Sequence, residues 1–212
     1  FTIVHNTQLC DWLYLYTPLE YTMQNPDKCN VKILYYSLEV SKQKKIQQMM
    51  CYLLFKKSKY NVHIDMKSLN SIFEDKPVDD EILELLQTEE YVEFGKHLEE
   101  HVIFEDNIRN PTGIFMDVKK FLDKHGTWTM VDKEVHDMAT GKKVIRPVKD
   151  TYVPNDPELY VIVIIDHISL FNLEKDVKDV RDAMIKFSSN YALELRDKYK
   201  CTVVMVQQQA MA

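Results

Sequence analysis

Five short runs of this chain are apolar at consecutive positions: FTIVH at 1–5, VKILYY at 31–36, HVIFED at 101–106, YVIVIID at 160–166 and CTVVMV at 201–206. Successive side chains of a strand point to opposite faces, so a strand with one wet face alternates apolar and polar residues. A continuous run demands cover on both faces, as in a parallel sheet. Segments of helical spacing lie between the runs. Ile46, Met49, Met50, Leu53 and Leu54 recur at that period within 43–57, and Val177, Val180, Met184, Phe187, Tyr191 and Leu195 within 176–200. Thr112 is placed to cap a further helix carrying Ile114, Val118, Phe121 and Leu122, and Gly126 is placed to end it. Buried strands alternating with helices predict an α/β fold with a mostly parallel central sheet and helices on both faces.

With 212 residues, 45% of them hydrophobic, the chain is long enough to bury a substantial core, and 1–212 reads as one domain with two interruptions. Residues 59–100 are acidic and helical in pattern, with Pro77 and the run DDEILELLQTEEY, and read as a surface helical excursion. Residues 127–157 carry β-like stretches around ATGKK and then TYVPNDP, which predicts a protruding β-hairpin and a loop into the fourth run. Trp12, Tyr14 and Tyr16 read as core aromatics of a helix over NTQLCDWLYLY. A net charge of −6 supplies no overall basic field, so any contact with nucleic acid must be local. The lysine pairs at 56–57 and 142–143 read as solvated. Cys10, Cys29, Cys51 and Cys201 form no metal-ligand cluster and read as reduced thiols of a cytoplasmic protein. The longest apolar run, 159–165, falls far short of the ~18 residues of a membrane span, so no membrane partner is expected.

The start of the chain is irregular. A buried strand, FTIVH, abuts a helix, NTQLCDWLYLY, with no loop residue between them, although connections of ~2 to 6 residues are normal. The expectation is a segment missing between His5 and Asn6. A Cα separation there near the ~3.8 Å of a trans peptide would refute it. Phe1 is no initiator Met, and the chain reads as part of something longer.

Three polar groups stand at the ends of the runs. Asp166 closes five aliphatic residues at the carboxyl end of a buried strand, where ligands of open α/β folds bind. It either caps the next helix or holds Mg²⁺ through water beside nucleotide phosphates. Glu39 follows the second run in YYSLEVSK, before a helix that Ser41 can cap. It is either a first-turn acid favoured by the helix dipole or the base that activates a water attacking a γ-phosphate. The amides of VVMVQQQ leave the fifth run, where one of them could contact that phosphate. Strand phase puts Gln207 and Gln209 on one face and Gln208 on the other. A glycine-rich phosphate loop would complete the set, yet the first glycine of the chain is Gly95. The place for such a loop is the seam at His5 and Asn6.

The order of these motifs resembles the RecA-like ATPase domain of DnaB-type replicative helicases and the helicase half of phage primase-helicases. YYSLEVSKQKKIQQMM is similar to the family's strand-SLE-helix segment. HVIFEDNIRNPTGIFMDVKKFLDKHG is similar to its third strand and following helix, and VIVIIDHISLF to its Walker B segment. The resemblance covers most of the chain outside 59–100 and 127–157. It implies a RecA-like P-loop NTPase core, with Glu39 as the catalytic glutamate, Asp166 as the Walker B aspartate on Mg²⁺, and Gln208 as the phosphate-sensing glutamine. Asn6 and Thr7 lie where the Walker A Lys-Ser/Thr should close, which gives Thr7 a nucleotide-binding place, although no lysine precedes it.

The activity implied is ATP hydrolysis in a ring, driving movement along single-stranded DNA. The partners implied are further copies in a hexameric ring, and a primase or helicase loader. Two alternatives stay open: another RecA-family recombination, repair or phage motor ATPase, and a degenerate scaffold or virion component that has lost its phosphate loop. His167 reads as a packing residue beside Asp166.

Overall fold

The computed structural model describes residues 6–58, 64, 66–69, 80–136, 138 and 141–207. FTIVH, the seam at His5 and Gln208 lie outside the described residues. The chain opens with α1 (Asn6–Asp11), a π-helical turn over Trp12–Tyr16 and α2 (Thr17–Gln24), then enters β1 (Asn30–Ser37). The helices α3 (Lys42–Lys57), α4 (Met66–Leu69), α5 (Asp80–Leu86) and α6 (Glu89–His101) lead to β2 (Val102–Glu105). Next come α7 (Pro111–His125), the strands β3 (Gly126–His136) and β4 (Lys143–Pro154), and β5 (Leu159–Asp166). The last elements are α8 (Val180–Lys186), a π turn over Phe187–Ala192, α9 (Leu193–Tyr199) and β6 (Thr202–Val206).

The central sheet has the order β2-β1-β5-β6 and every pairing in it is parallel. Alternate residues of β1 enter opposite cores, as continuous apolar runs require. Ile33 and Tyr35 pack with Met49, Leu54, Tyr91 and Phe94. Leu34 and Tyr36 pack with Ile114, Val118, Phe187 and Leu195 on the other side. Helices thus cover both faces, as the sequence predicts. Ser41 caps α3 by accepting from the Lys44 N–H, also as expected. Among the described residues no helix is long and apolar enough to cross a membrane.

Several expectations need correction. The stretch 59–100 is not wholly a surface excursion. Tyr91, Phe94 and Leu98 of α6 are buried in the core shared with β1 and β2, because they fall on one helical stripe that covers the sheet. Trp12 is 53% exposed and Tyr14 36%, so of the three aromatics only Tyr16 is core. Thr112 is not the cap of α7. Asn110 holds that position, and Thr112 sits inside the first turn, where its N–H and hydroxyl both donate to the Glu174 carboxylate at 2.9 and 2.8 Å. Gly126 ends α7 in an extended conformation (φ −164°) rather than a left-handed one, and opens β3 at once. The hairpin is the antiparallel β3/β4 ribbon, anchored at its base by buried Tyr152.

Candidate functional site

The chain leaves β1 towards β2 and leaves β5 towards β6, in opposite directions across the sheet. The loops after β1 and β5 therefore diverge, and the crevice between them is where open α/β sheets receive ligands. Ser37 and Asp166 are the last registered pair of these two strands. Asp166 is fully buried there. It caps nothing. Its Oδ1 accepts from the Thr7 hydroxyl at 2.9 Å, and its Oδ2 accepts from the Tyr35 hydroxyl at 3.0 Å and lies 3.5 Å from Lys45 Nζ. Two of the residues singled out in the sequence, Thr7 and Asp166, are thus in direct contact across 159 positions of chain.

A second carboxylate completes this cluster. Asp11 accepts from Lys45 Nζ at 2.8 Å through Oδ2 and from the Tyr35 hydroxyl at 2.8 Å through Oδ1. Tyr35 has one proton for two acceptors, so its oxygen and the two carboxylates share protons rather than each pair owning one. Burial pushes the Asp11 carboxyl above its ordinary range, against the downward pull of Lys45 and Tyr35. Burial and then the charges of Asp11 and Asp166 push the Tyr35 phenol far above its ordinary value, so Tyr35 keeps its proton. Lys45 lies 4.6 Å from the centre of the Tyr35 ring, a cation–π contact that adds to the pairing.

Sequence reasoning missed Asp11, Tyr35 and Lys45, yet each carries a positional signal. Lys45 falls four residues before Met49 and eight before Leu53, on the buried stripe of α3. Asp11 precedes buried Leu15 and Leu19 at the same spacing. Tyr35 lies inside the continuous run of β1.

Glu39 is exposed in the bend that follows β1. The bend is fixed on both sides. The Leu38 N–H donates to the Asp166 carbonyl at 2.5 Å, and the Ser37 hydroxyl donates to the Val40 carbonyl at 2.6 Å. Glu39 therefore stands at the same sheet edge as Asp166, one residue from a direct backbone bond to it. Val206 is registered with Asp166, which brings Gln207, exposed, to the edge as well. His167 is buried, with Nδ1 2.5 Å from the Ser169 hydroxyl and Nε2 without a hydrogen-bond partner among the described residues. A cleft of about 560 Å³ opens beside the cluster, lined by Thr7 and Asp11 at one end and by Trp12, Tyr16, Tyr52 and Phe55.

A hydroxyl and a carboxylate oxygen side by side are the hard oxygen donors that suit Mg²⁺, which keeps several waters and takes few protein ligands. Thr7 Oγ1 and Asp166 Oδ1 fit that ion in this limited sense. Oδ2 of Asp166 is already taken by Tyr35 and Lys45. Among the described residues no group of three or more His, Cys, Asp or Glu side chains forms a metal cage.

No protein-family model matches the chain, and no curated protein matches it. Among solved structures it is similar to the ATPase domain of a DnaB-like helicase, with 13% identity and a TM-score of 0.47, over 85% of this chain and 48% of that one. The chain thus spans about half the length of that structure.

Proposed function

We propose that this chain is an ATP-hydrolysing RecA-like motor domain of the DnaB-type helicase kind, acting in a ring on single-stranded DNA. The observation that carries the proposal is the 2.9 Å bond from the Thr7 hydroxyl to Asp166 at the crevice between β1 and β5, with Glu39 on the adjoining bend. Thr7 and Asp166 would hold Mg²⁺ there, and the ion supplies charge neutralisation at the phosphates when bound. Asp166 keeps the Thr7 side chain in place by accepting its proton. Tyr35 and Lys45 in turn fix the Asp166 carboxylate through its other oxygen. Glu39, exposed on its bend, accepts a proton from the attacking water. Gln208 is assigned to sensing the terminal phosphate from the end of β6. The hexameric ring, the DNA partner and a primase or loader belong to this proposal through the family resemblance.

Replacing Glu39 tests it. Glu39→Gln is expected to lower ATP turnover of the full-length protein by on the order of 10²- to 10⁴-fold while ATP affinity is kept. Unchanged turnover in an active protein would remove Glu39 from its role. One observation favours a non-catalytic scaffold as the second reading. Both oxygens of Asp166 are already occupied by protein donors, an arrangement that holds three elements together without a ligand. Absence of ATP binding by the full-length wild-type protein would select the scaffold.

A further inference from the structure

We infer that Arg109 is an anion-binding residue of this crevice, its guanidinium taking the terminal phosphoryl group of a nucleoside triphosphate beside Glu39. The inference rests on the nucleotide site proposed above. Arg109 lies in the connection from β2 to α7, and that connection does not simply turn back into its helix. Tyr36 of β1 is registered with Glu105 of β2, so the two strands release their loops side by side. The Arg109 guanidinium then donates through one terminal nitrogen to the Leu38 carbonyl, one peptide from Glu39. Its own carbonyl accepts from the Asn172 N–H at 2.9 Å, in the loop that follows β5. Arg109 thus ties together the loops carrying Glu39 and following Asp166, at the mouth of the crevice.

The charge of Arg109 is unanswered. The side chain is half-buried, and among the described residues no carboxylate lies within 4 Å of it; its one hydrogen bond goes to a neutral carbonyl. Acids are close in sequence and space, but each is engaged elsewhere. Glu105 accepts from the Asn107 N–H at 2.7 Å, Asp106 from the Lys42 N–H at 2.8 Å, and Glu174 from Asn110, Thr112 and Lys186. A guanidinium carries five N–H donors in a planar fork that matches phosphoryl oxygens. Partial burial of such a group without a counter-ion is costly unless an anion arrives. Charge, fork geometry and position converge on an incoming phosphoryl group.

The test compares ATP with ADP on the full-length protein, by titration calorimetry of wild type, Arg109→Gln and Arg109→Lys. The expected result is an ATP affinity about tenfold or more weaker in Arg109→Gln, with ADP affinity changed less than about twofold. Arg109→Lys keeps the charge and loses the fork, and should fall between the two. A clip that merely holds the Leu38 bend would weaken ATP and ADP together, or neither, and either pattern overturns the role of Arg109 while the nucleotide site stands. Should Arg109→Gln fail to fold, the ATP-to-ADP ratio of Arg109→Lys decides in the same way. Wild-type protein that binds neither nucleotide overturns the nucleotide site, and this inference with it.

Discussion

Lys45 has no exposed surface, and its ammonium sits 2.8 Å from Asp11 and 3.5 Å from Asp166. Removing one partner of a buried ion pair leaves the others charged in a medium that cannot solvate them, at about 3–5 kcal/mol. Lys45→Met is therefore expected to lower stability by about that amount in chemical denaturation at neutral pH. A midpoint equal to that of the wild type would contradict the pairing. Glu174 gives a pH-dependent case. Against the upward push of its burial, hydrogen bonds from Lys186, Asn110 and Thr112 hold its carboxyl at about 2 instead of 4.5. A depressed acid stabilises the fold fully above the unfolded value of 4.5 and progressively less as pH falls through about 2. The stability gap between wild type and Glu174→Gln should accordingly shrink as the pH is lowered from about 5 to about 3. A gap independent of pH would count against it. At this scale the sequence marked Thr7, Glu39 and Asp166 by their places at strand and helix ends. It hid Lys45, which stands in the run KQKKIQQMM as one polar residue among many, because only tertiary packing decides which lysine of that run faces inward.

The elements were legible wherever burial imposed a period. The continuous runs at 31–36, 101–106, 160–166 and 201–206 all lie on strands of the parallel sheet. What periodicity could not show was local bonding by distant groups. Thr112 looks like a cap by its type and place, but the carboxylate that satisfies the start of α7 comes from Glu174, 62 residues further on. The same holds at the other end of α7. Gly126 looks like a left-handed terminator, whereas its backbone is extended and the constraint is the Tyr152 ring, which occupies the place a Cβ would take. That ring donates its hydroxyl to the Leu122 carbonyl at 2.8 Å and packs against Trp128 and Tyr199. Gly126→Ala should destabilise the protein by about 1–3 kcal/mol through displacement of this aromatic group. Near-ultraviolet circular dichroism and a denaturation midpoint would report it, and an unchanged signal in both would show that the ring can yield. Helix 176–200 was legible as a stripe, but its interruption by a π turn at Phe187–Ala192 has no sequence signal that we can name.

Across the whole molecule, the sheet is a shared wall between two cores, and the strand order β2-β1-β5-β6 is what creates a crevice at the carboxyl ends of β1 and β5. Pairing order is a property of the chain as a whole. The sequence supplied the strands and their polar tips, and the topology brought Thr7, Glu39 and Asp166 to one edge. The central claim is that Thr7 and Asp166 form the metal and phosphate end of an ATP site. Titration of ATP into full-length protein, with and without Mg²⁺, tests it most directly when wild type is compared with Thr7→Val. The expected result is Mg²⁺-dependent ATP binding by the wild type, weakened about tenfold or more in Thr7→Val. No Mg²⁺-dependent binding by the wild type, or equal binding by the two proteins, would contradict it.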